Sequence, residues 1–273
     1  MLSQKEKRRL LSYLQEDIGQ GDITSAITPK TQCSASISAN EKCTLAGIEQ
    51  VQFLCSHYNV RVKKLKKDGS KILNGTRILV LNGQNRKILT LERVCLNILG
   101  RMSGVATLCS QATKKSPATT IAVTRKTSPG FQLFDKKAAQ KAGAWTHRKD
   151  LSEMILIKEN HLKFFSSIEQ AFAAAKRSGK KIEIEVETRW QALAAAEQNP
   201  HMILLDNFPP EVARKTIQDL RKRFKGKIEL SGGITLKNLK KYSNLGADVI
   251  SMGELTKSAK IIDFSLDIER VQK

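Results

Sequence analysis

The stretch KIEIEVETRWQALAAAEQNPHMILLDNFPPEVARKTIQDLRKRFKGKIELSGGIT, residues 181–235, decides the fold class. Its three short runs 181–187, 202–206 and 227–231 are rich in apolar and β-branched residues and bounded by turn residues, the pattern of strands. The segments between them start like helices. Thr188 and Gln191 have capping-box spacing, and Pro209 and Pro210 suit a first helical turn. Strand, helix and strand in repetition require parallel strands, because each helix returns the chain to the same end of the sheet.

The same period extends in both directions. TTIAVT (119–124), MILIK (154–158) and DVISM (248–252) predict three further strands. Ser166 with Glu169 predicts a cap for the helix before the third strand, and Thr235 one for the helix after SGGIT. Six units in roughly 135 residues fall short of the about 250 of a complete eight-unit barrel, so an open, incomplete parallel α/β barrel is expected. The N-terminal part reads differently. Ser3 and Glu6 predict a capped helix over 3–18, ended by Gly19 and Gly21, and the alternating segments from about 33 to 90, with Asp-Gly and Asn-Gly turns, predict an antiparallel β layer. Leu91, Val94, Ile98, Met102, Val105 and Leu108 place a linking helix over 91–112. IIDFSLDIER alternates like a strand and is expected to return to the N-terminal layer. The predicted domains are therefore 1–112, joined by about 262–273, and 113–261.

Composition narrows the function classes. No run approaches the roughly 20 apolar residues that span a bilayer, so neither a signal peptide nor a transmembrane helix is expected. The five cysteines (33, 43, 55, 95 and 109) are odd in number and never in C-x-x-C spacing, which predicts free thiols in a reducing cytoplasm. A net charge of +21 would suit nucleic acid or anionic ligands. The basic residues are dispersed and aromatic content is 5%, which argues against a nucleic-acid module.

In parallel α/β proteins ligands bind at the C-terminal strand ends. Those ends carry Thr124, Arg125 and Lys126; Lys158 to His161; Glu185 and Glu187; Asp206 and Asn207; Ser231, Gly232 and Gly233; and Ser251, Met252 and Gly253. Arg125, Lys126, Arg148 and Lys158, with His147 and His161, make a cationic set suited to a polycarboxylate. Glu185 and Asp206 can hold magnesium or ribose hydroxyls, or pair with those same cations. The SGG and SMG loops allow main-chain N–H groups to approach a phosphate, with the following helix starts adding favourable charge. Together these suggest a phosphorylated sugar meeting an acidic acceptor.

EDIGQGDITS (16–25), LERVCLNILGRMSGVAT (91–107), TRKTSPG (124–130), HRKDLSEMILIKENH (147–161), EIEVE (183–187), LLDNF (204–208), SGGIT (231–235) and GADVISMGELTKSAKIIDFSL (246–266) resemble quinolinate phosphoribosyltransferase nearly end to end. The resemblance implies an N-terminal α/β sandwich packed on an open α/β barrel, in a homodimer or higher homo-oligomer, in the cytoplasm. It implies transfer of a phosphoribosyl group from phosphoribosyl pyrophosphate to quinolinate, with decarboxylation to nicotinate mononucleotide, as a step of NAD biosynthesis. Arg125, His147, Arg148 and Lys158 would hold quinolinate, with Arg101 reaching in from the neighbouring subunit. Lys126 would lie between the substrates. Glu185 and Asp206 would contact the ribose and Mg2+, and Ser231, Gly232, Gly233, Ser251 and Gly253 would cradle the 5-phosphate. Lys126, Glu185 and Asp206 would be the catalytic groups. One stretch departs from the family: Ala142, Gly143, Ala144, Trp145 and Thr146 stand where a Gly-Gly-Gly-x-Asn run is usual. The alternatives are a molybdenum-transport-associated paralogue with a different acceptor and a nucleic-acid-binding protein on this scaffold.

Overall fold

The computed structural model describes residues 1–271. Gln272 and Lys273, the end of the predicted 262–273 segment, lie outside them. The described chain forms two compact units, the first made of 1–108, 133–142 and the residues from Ala259 onward, the second of 109–132 and 143–258. Segment 133–142, expected in the barrel, groups with the first unit instead. The helix Gln132–Lys141 explains this: its Lys137 pairs with Glu6 at 2.8 Å and its Asp135 with Arg101.

In the first unit the opening helix, Gln4–Ile18, has the predicted reciprocal capping box between Ser3 and Glu6. The strands are β1 (Gln32–Ala39), β2 (Cys43–Thr44), β3 (Arg61–Lys64), β4 (Lys71–Ile72) and β5 (Thr76–Gln84). The helix Ile48–His57 was not predicted, because nothing local caps it. Gly47 at its N-cap offers no side chain, and the Ile48 N–H donates instead to Asp68 Oδ1, twenty residues away, at 3.0 Å. The linking helix starts at Asn85 rather than 91 and runs to Lys115; of the Asn-Gly pairs that predict turns, Asn82-Gly83 lies instead at the end of β5.

The second unit contains β6 (Thr120–Val123), β7 (Ile155–Ile157), β8 (Ile182–Val186), β9 (Met202–Asp206), β10 (Lys227–Ser231) and β11 (Val249–Met252). All six predicted strands are present, and every pairing among them is parallel. The order β6-β11-β10-β9-β8-β7 leaves β6 and β7 at opposite edges, so the barrel is open between them. Outside β6, Trp145 adds a single parallel bridge: its N–H donates to Ile121 O at 2.8 Å and its carbonyl accepts from Val123 N at 3.0 Å. Ser167, not Ser166, caps the helix Ile168–Lys176, while Thr188 closes the predicted capping box of Arg189–Glu197. The helix expected after SGGIT is absent. A 3-10 turn, Leu239–Lys241, stands there, and the Thr235 hydroxyl donates to Asn238 rather than capping a helix.

The last strand, β12 (Phe264–Val271), pairs antiparallel with β1, as expected, giving a four-stranded sheet in the first unit with order β12-β1-β5-β3. The chain entering β12 passes close to the linking helix. A Cβ on Gly104 would lie 1.9 Å from Lys260 O, and Ile262 N donates to Gly100 O at 3.1 Å. Among the described residues no helix is long and apolar enough to cross a membrane.

Candidate active site

Side chains along a strand alternate between faces, so residues two apart point the same way. The C-terminal strand ends Lys158, Glu185, Asp206, Ser231 and Ser251 line one cavity of about 340 Å³, and the residues two positions earlier include Leu156, Leu204 and Glu229, which line it more deeply. Arg125 and Lys126 enter from the loop after β6, and Arg148 from the segment after Trp145. The structure thus brings together Arg125, Lys126, His147, Arg148, Lys158, Glu185, Asp206, Ser231 and Ser251 from distant parts of the sequence. It leaves out two of the predicted cations. His161 is exposed and outside the lining; its Nδ1 accepts the Lys158 N–H at 3.1 Å at the start of the helix Glu159–Leu162. Arg101 lies in the first unit, its Nε and Nη2 donating to the buried Asp135 carboxylate at 2.9 and 2.8 Å.

Charge inside the cavity is partly paired. The Lys158 ammonium is bound to Glu185, so the predicted acceptor-binding cation and the predicted ribose-binding acid meet each other. The alternative of mutual salt-bridging is the arrangement found for this pair. Asp206 Oδ2 accepts from Asn207 Nδ2 at 2.7 Å. Burial, then the like charge of Arg125, hold the Arg148 guanidinium below its ordinary pKa.

The glycine loops divide by role. Gly232 has φ 86°, and a Cβ there would lie 2.4 Å from Asn207 N, so it is needed for the close approach of the β9 and β10 loops. Gly233, at φ 59°, faces open space. The short helix after Gly253 spans only Glu254–Lys257, so anion binding here must rely on individual N–H and hydroxyl donors rather than on a long helix dipole.

His147 differs most from expectation. It is buried, at φ 50°, and both ring nitrogens are engaged: Nε2 lies 3.1 Å from Glu229 Oε2 and 3.4 Å from Glu183 Oε2, while Nδ1 accepts the Arg148 N–H at 2.8 Å. The ring therefore meets two protein carboxylates while still lining the cavity. Burial opposes its protonation, and the two glutamates outweigh burial, pushing its pKa up to about 9. The Arg148 amide always carries its hydrogen, however, and requires a bare Nδ1, so in this arrangement the single ring proton sits on Nε2. Burial also raises the Glu183 pKa. Sequence reading missed Glu183 and Glu229, both fully buried.

A family model described as "Quinolinate phosphoribosyl transferase, C-terminal domain" matches residues 105–267, and its N-terminal counterpart matches 22–103. The chain belongs to the quinolinate phosphoribosyltransferase family. A Methanocaldococcus jannaschii relative named "Probable nicotinate-nucleotide pyrophosphorylase (carboxylating)" is 38% identical over 100% of both chains. The Rattus norvegicus nicotinate-nucleotide pyrophosphorylase (carboxylating) is 35% identical, over 94% of this chain and 89% of its own. The solved nicotinate-nucleotide pyrophosphorylase of Francisella tularensis superposes with a TM-score of 0.93 at 31% identity, covering 98% of each chain. These matches support neither the molybdenum-transport paralogue nor the nucleic-acid-binding alternative.

Proposed function

We propose that this protein transfers the phosphoribosyl group of phosphoribosyl pyrophosphate to quinolinate and releases pyrophosphate, CO2 and nicotinate mononucleotide, a step of NAD biosynthesis. The observation that carries the reading is the convergence of Arg125, Lys126, Arg148 and Lys158 with Glu185 and Asp206 in one cavity, in a chain that matches this family over nearly its whole length.

Arg125, Arg148 and Lys158 meet the two carboxylates of the acceptor, guanidinium forks matching carboxylate oxygens two at a time. That places the pyridine nitrogen toward the anomeric carbon of the donor. Lys126 sits between the two anions, and Ser231, Gly232, Gly233, Ser251 and Gly253 receive the 5-phosphate. Glu185 and Asp206 hold the ribose hydroxyls and offset positive charge as the C1–O bond to pyrophosphate breaks. Catalysis is then mainly the positioning of two anions and the stabilisation of developing charge. Once the ring nitrogen is alkylated, its positive charge stabilises the electron pair that stays on C2 when the 2-carboxylate departs as CO2, and that pair takes up a proton.

The hard oxygen donors Glu185 and Asp206 fit a Mg2+ ion that keeps several of its waters, Lys158 being the competing cation at Glu185. When bound, Mg2+ would neutralise the leaving pyrophosphate. We further propose a homodimer or larger homo-oligomer in which Arg101 reaches a neighbouring subunit. Five buried free cysteines support a reducing, cytoplasmic setting. Incubation with quinolinate, phosphoribosyl pyrophosphate and Mg2+ tests the activity: stoichiometric nicotinate mononucleotide and CO2 are expected, and their absence refutes it.

A further inference from the structure

The chemistry above leaves a buried group of side chains beneath the cavity without a task. Glu183 and Glu229 lie on β8 and β10, either side of β9, and both face the His147 ring. Both Glu183 oxygens and Glu229 Oε1 are buried without a hydrogen-bond partner. An orphaned buried carboxylate oxygen is costly, so three of them on the two strands that flank β9 call for an explanation beyond packing.

His147 supplies it. The Trp145 bridge ends the pairing beside β6, and the chain then turns through the left-handed region at His147, a conformation that a bulky residue holds only when its surroundings impose it. The imposing contact is the ring itself. On one side Nε2–H donates to Glu229 Oε2, and on the other Nδ1 accepts the Arg148 amide, so one imidazole ties the main chain at Arg148 to the middle of β10. Trp145 packs on the ring at 4.7 Å between centroids and limits its tilt. The AGAWT departure is thus filled by a strand bridge and an aromatic wall in place of a flexible glycine run.

We propose that Glu229, backed by Glu183, is a positioning residue of the acceptor subsite: it fixes the orientation and tautomer of His147, which anchors the Arg148 backbone and so aims its guanidinium at the acceptor's carboxylates. The proposal rests on the reading of that subsite given above. The hydrogen bonds of this relay join Glu229, the His147 ring and the Arg148 amide and end on none of the residues assigned to the phosphoribosyl half, and that separation is what makes it testable.

Glu229→Leu fills the space beside Leu204 and removes the acceptor of Nε2–H. Glu229→Gln keeps an acceptor, and its amide N–H groups can donate to the orphaned oxygens of Glu183. The expected result is a KM for quinolinate raised roughly 10- to 100-fold in Glu229→Leu, with the KM for phosphoribosyl pyrophosphate within about 3-fold and recovery to within about 5-fold in Glu229→Gln. Long-range 1H–15N spectra should show His147 as the Nε2–H tautomer in wild type and Glu229→Gln, and that signature should be lost in Glu229→Leu. Equal rises in both KM values, a loss confined to kcat, or no recovery in Glu229→Gln would overturn the proposal. So would a stoichiometric divalent metal in the purified protein that Glu229→Gln releases, since His147, Glu183 and Glu229 would then be ligands. A wild-type protein without transferase activity would refute the functional reading alone; the tautomer measurement on Glu229→Leu and Glu229→Gln would still decide whether Glu229 holds the His147 ring.

Discussion

Replacing Arg148 by alanine separates binding from stability. The guanidinium is partly buried, and burial together with Arg125 already disfavours its charge in the folded chain. Glu183 and Glu185 offset part of that cost, and an arriving dianion adds to their effect. A charge-assisted hydrogen bond contributes about 1.5–3 kcal/mol, and the two bonds of a bidentate contact are not additive, so a net loss of about 3 kcal/mol is a fair working figure. At about 1.4 kcal/mol per decade, this is roughly a 100-fold fall in kcat/KM for quinolinate. Folding should change little, within about 0.5 kcal/mol, because a cation crowded by a like charge is removed; Tm should stay within about 2 °C. Arg148→Lys keeps the charge but loses the fork, and should fall between wild type and alanine. The assay is steady-state production of nicotinate mononucleotide, with each substrate varied at saturation of the other, beside thermal melts. A Tm lowered by more than about 5 °C with an unchanged KM for quinolinate would show that Arg148 is a structural residue.

Three other substitutions probe the frame around the site. Gly104→Ala puts a methyl where Lys260 O stands 1.9 Å from the ideal Cβ, and should cost about 3 kcal/mol or more, read as a Tm fall that exceeds that of Gly100→Ala, whose nearest contact is 2.6 Å. Asp135→Ala removes the carboxylate that takes the Arg101 Nε and Nη2 hydrogens, at a side chain only 15% exposed, and should cost about 3–5 kcal/mol in chemical denaturation. Burial outweighs Arg101 in raising the Asp135 pKa, so the pair itself adds little, and the double variant Arg101→Met, Asp135→Leu should regain most of that loss. His161→Ala removes only an acceptor at the start of a four-residue helix; it should lower stability by no more than about 1 kcal/mol and leave the quinolinate KM near wild type.

The parallel sheet was legible because short apolar runs ending in polar or glycine residues leave few other readings, and the strand ends then named most of the cavity lining. The missed helix Ile48–His57 depends on Asp68, a cap that only the folded chain brings near. His161 was misplaced because a charged residue just past a strand end can cap a helix as readily as face a ligand. Glu183 and Glu229 were missed for a different reason. Within IEIEV and KIELS, polar residues at alternate positions suggest a strand with one face in water, as in an antiparallel layer. The strand ends carried the contrary signal: Glu185 and Ser231 had been assigned to the pocket, and Glu183 and Glu229 stand two residues before them on the same strands, hence on the same face. A carboxylate at that depth in an open barrel cannot be a surface charge. It must meet another strand's side chain or a residue brought in from outside the sheet, and the left-handed turn after Trp145 brings in His147.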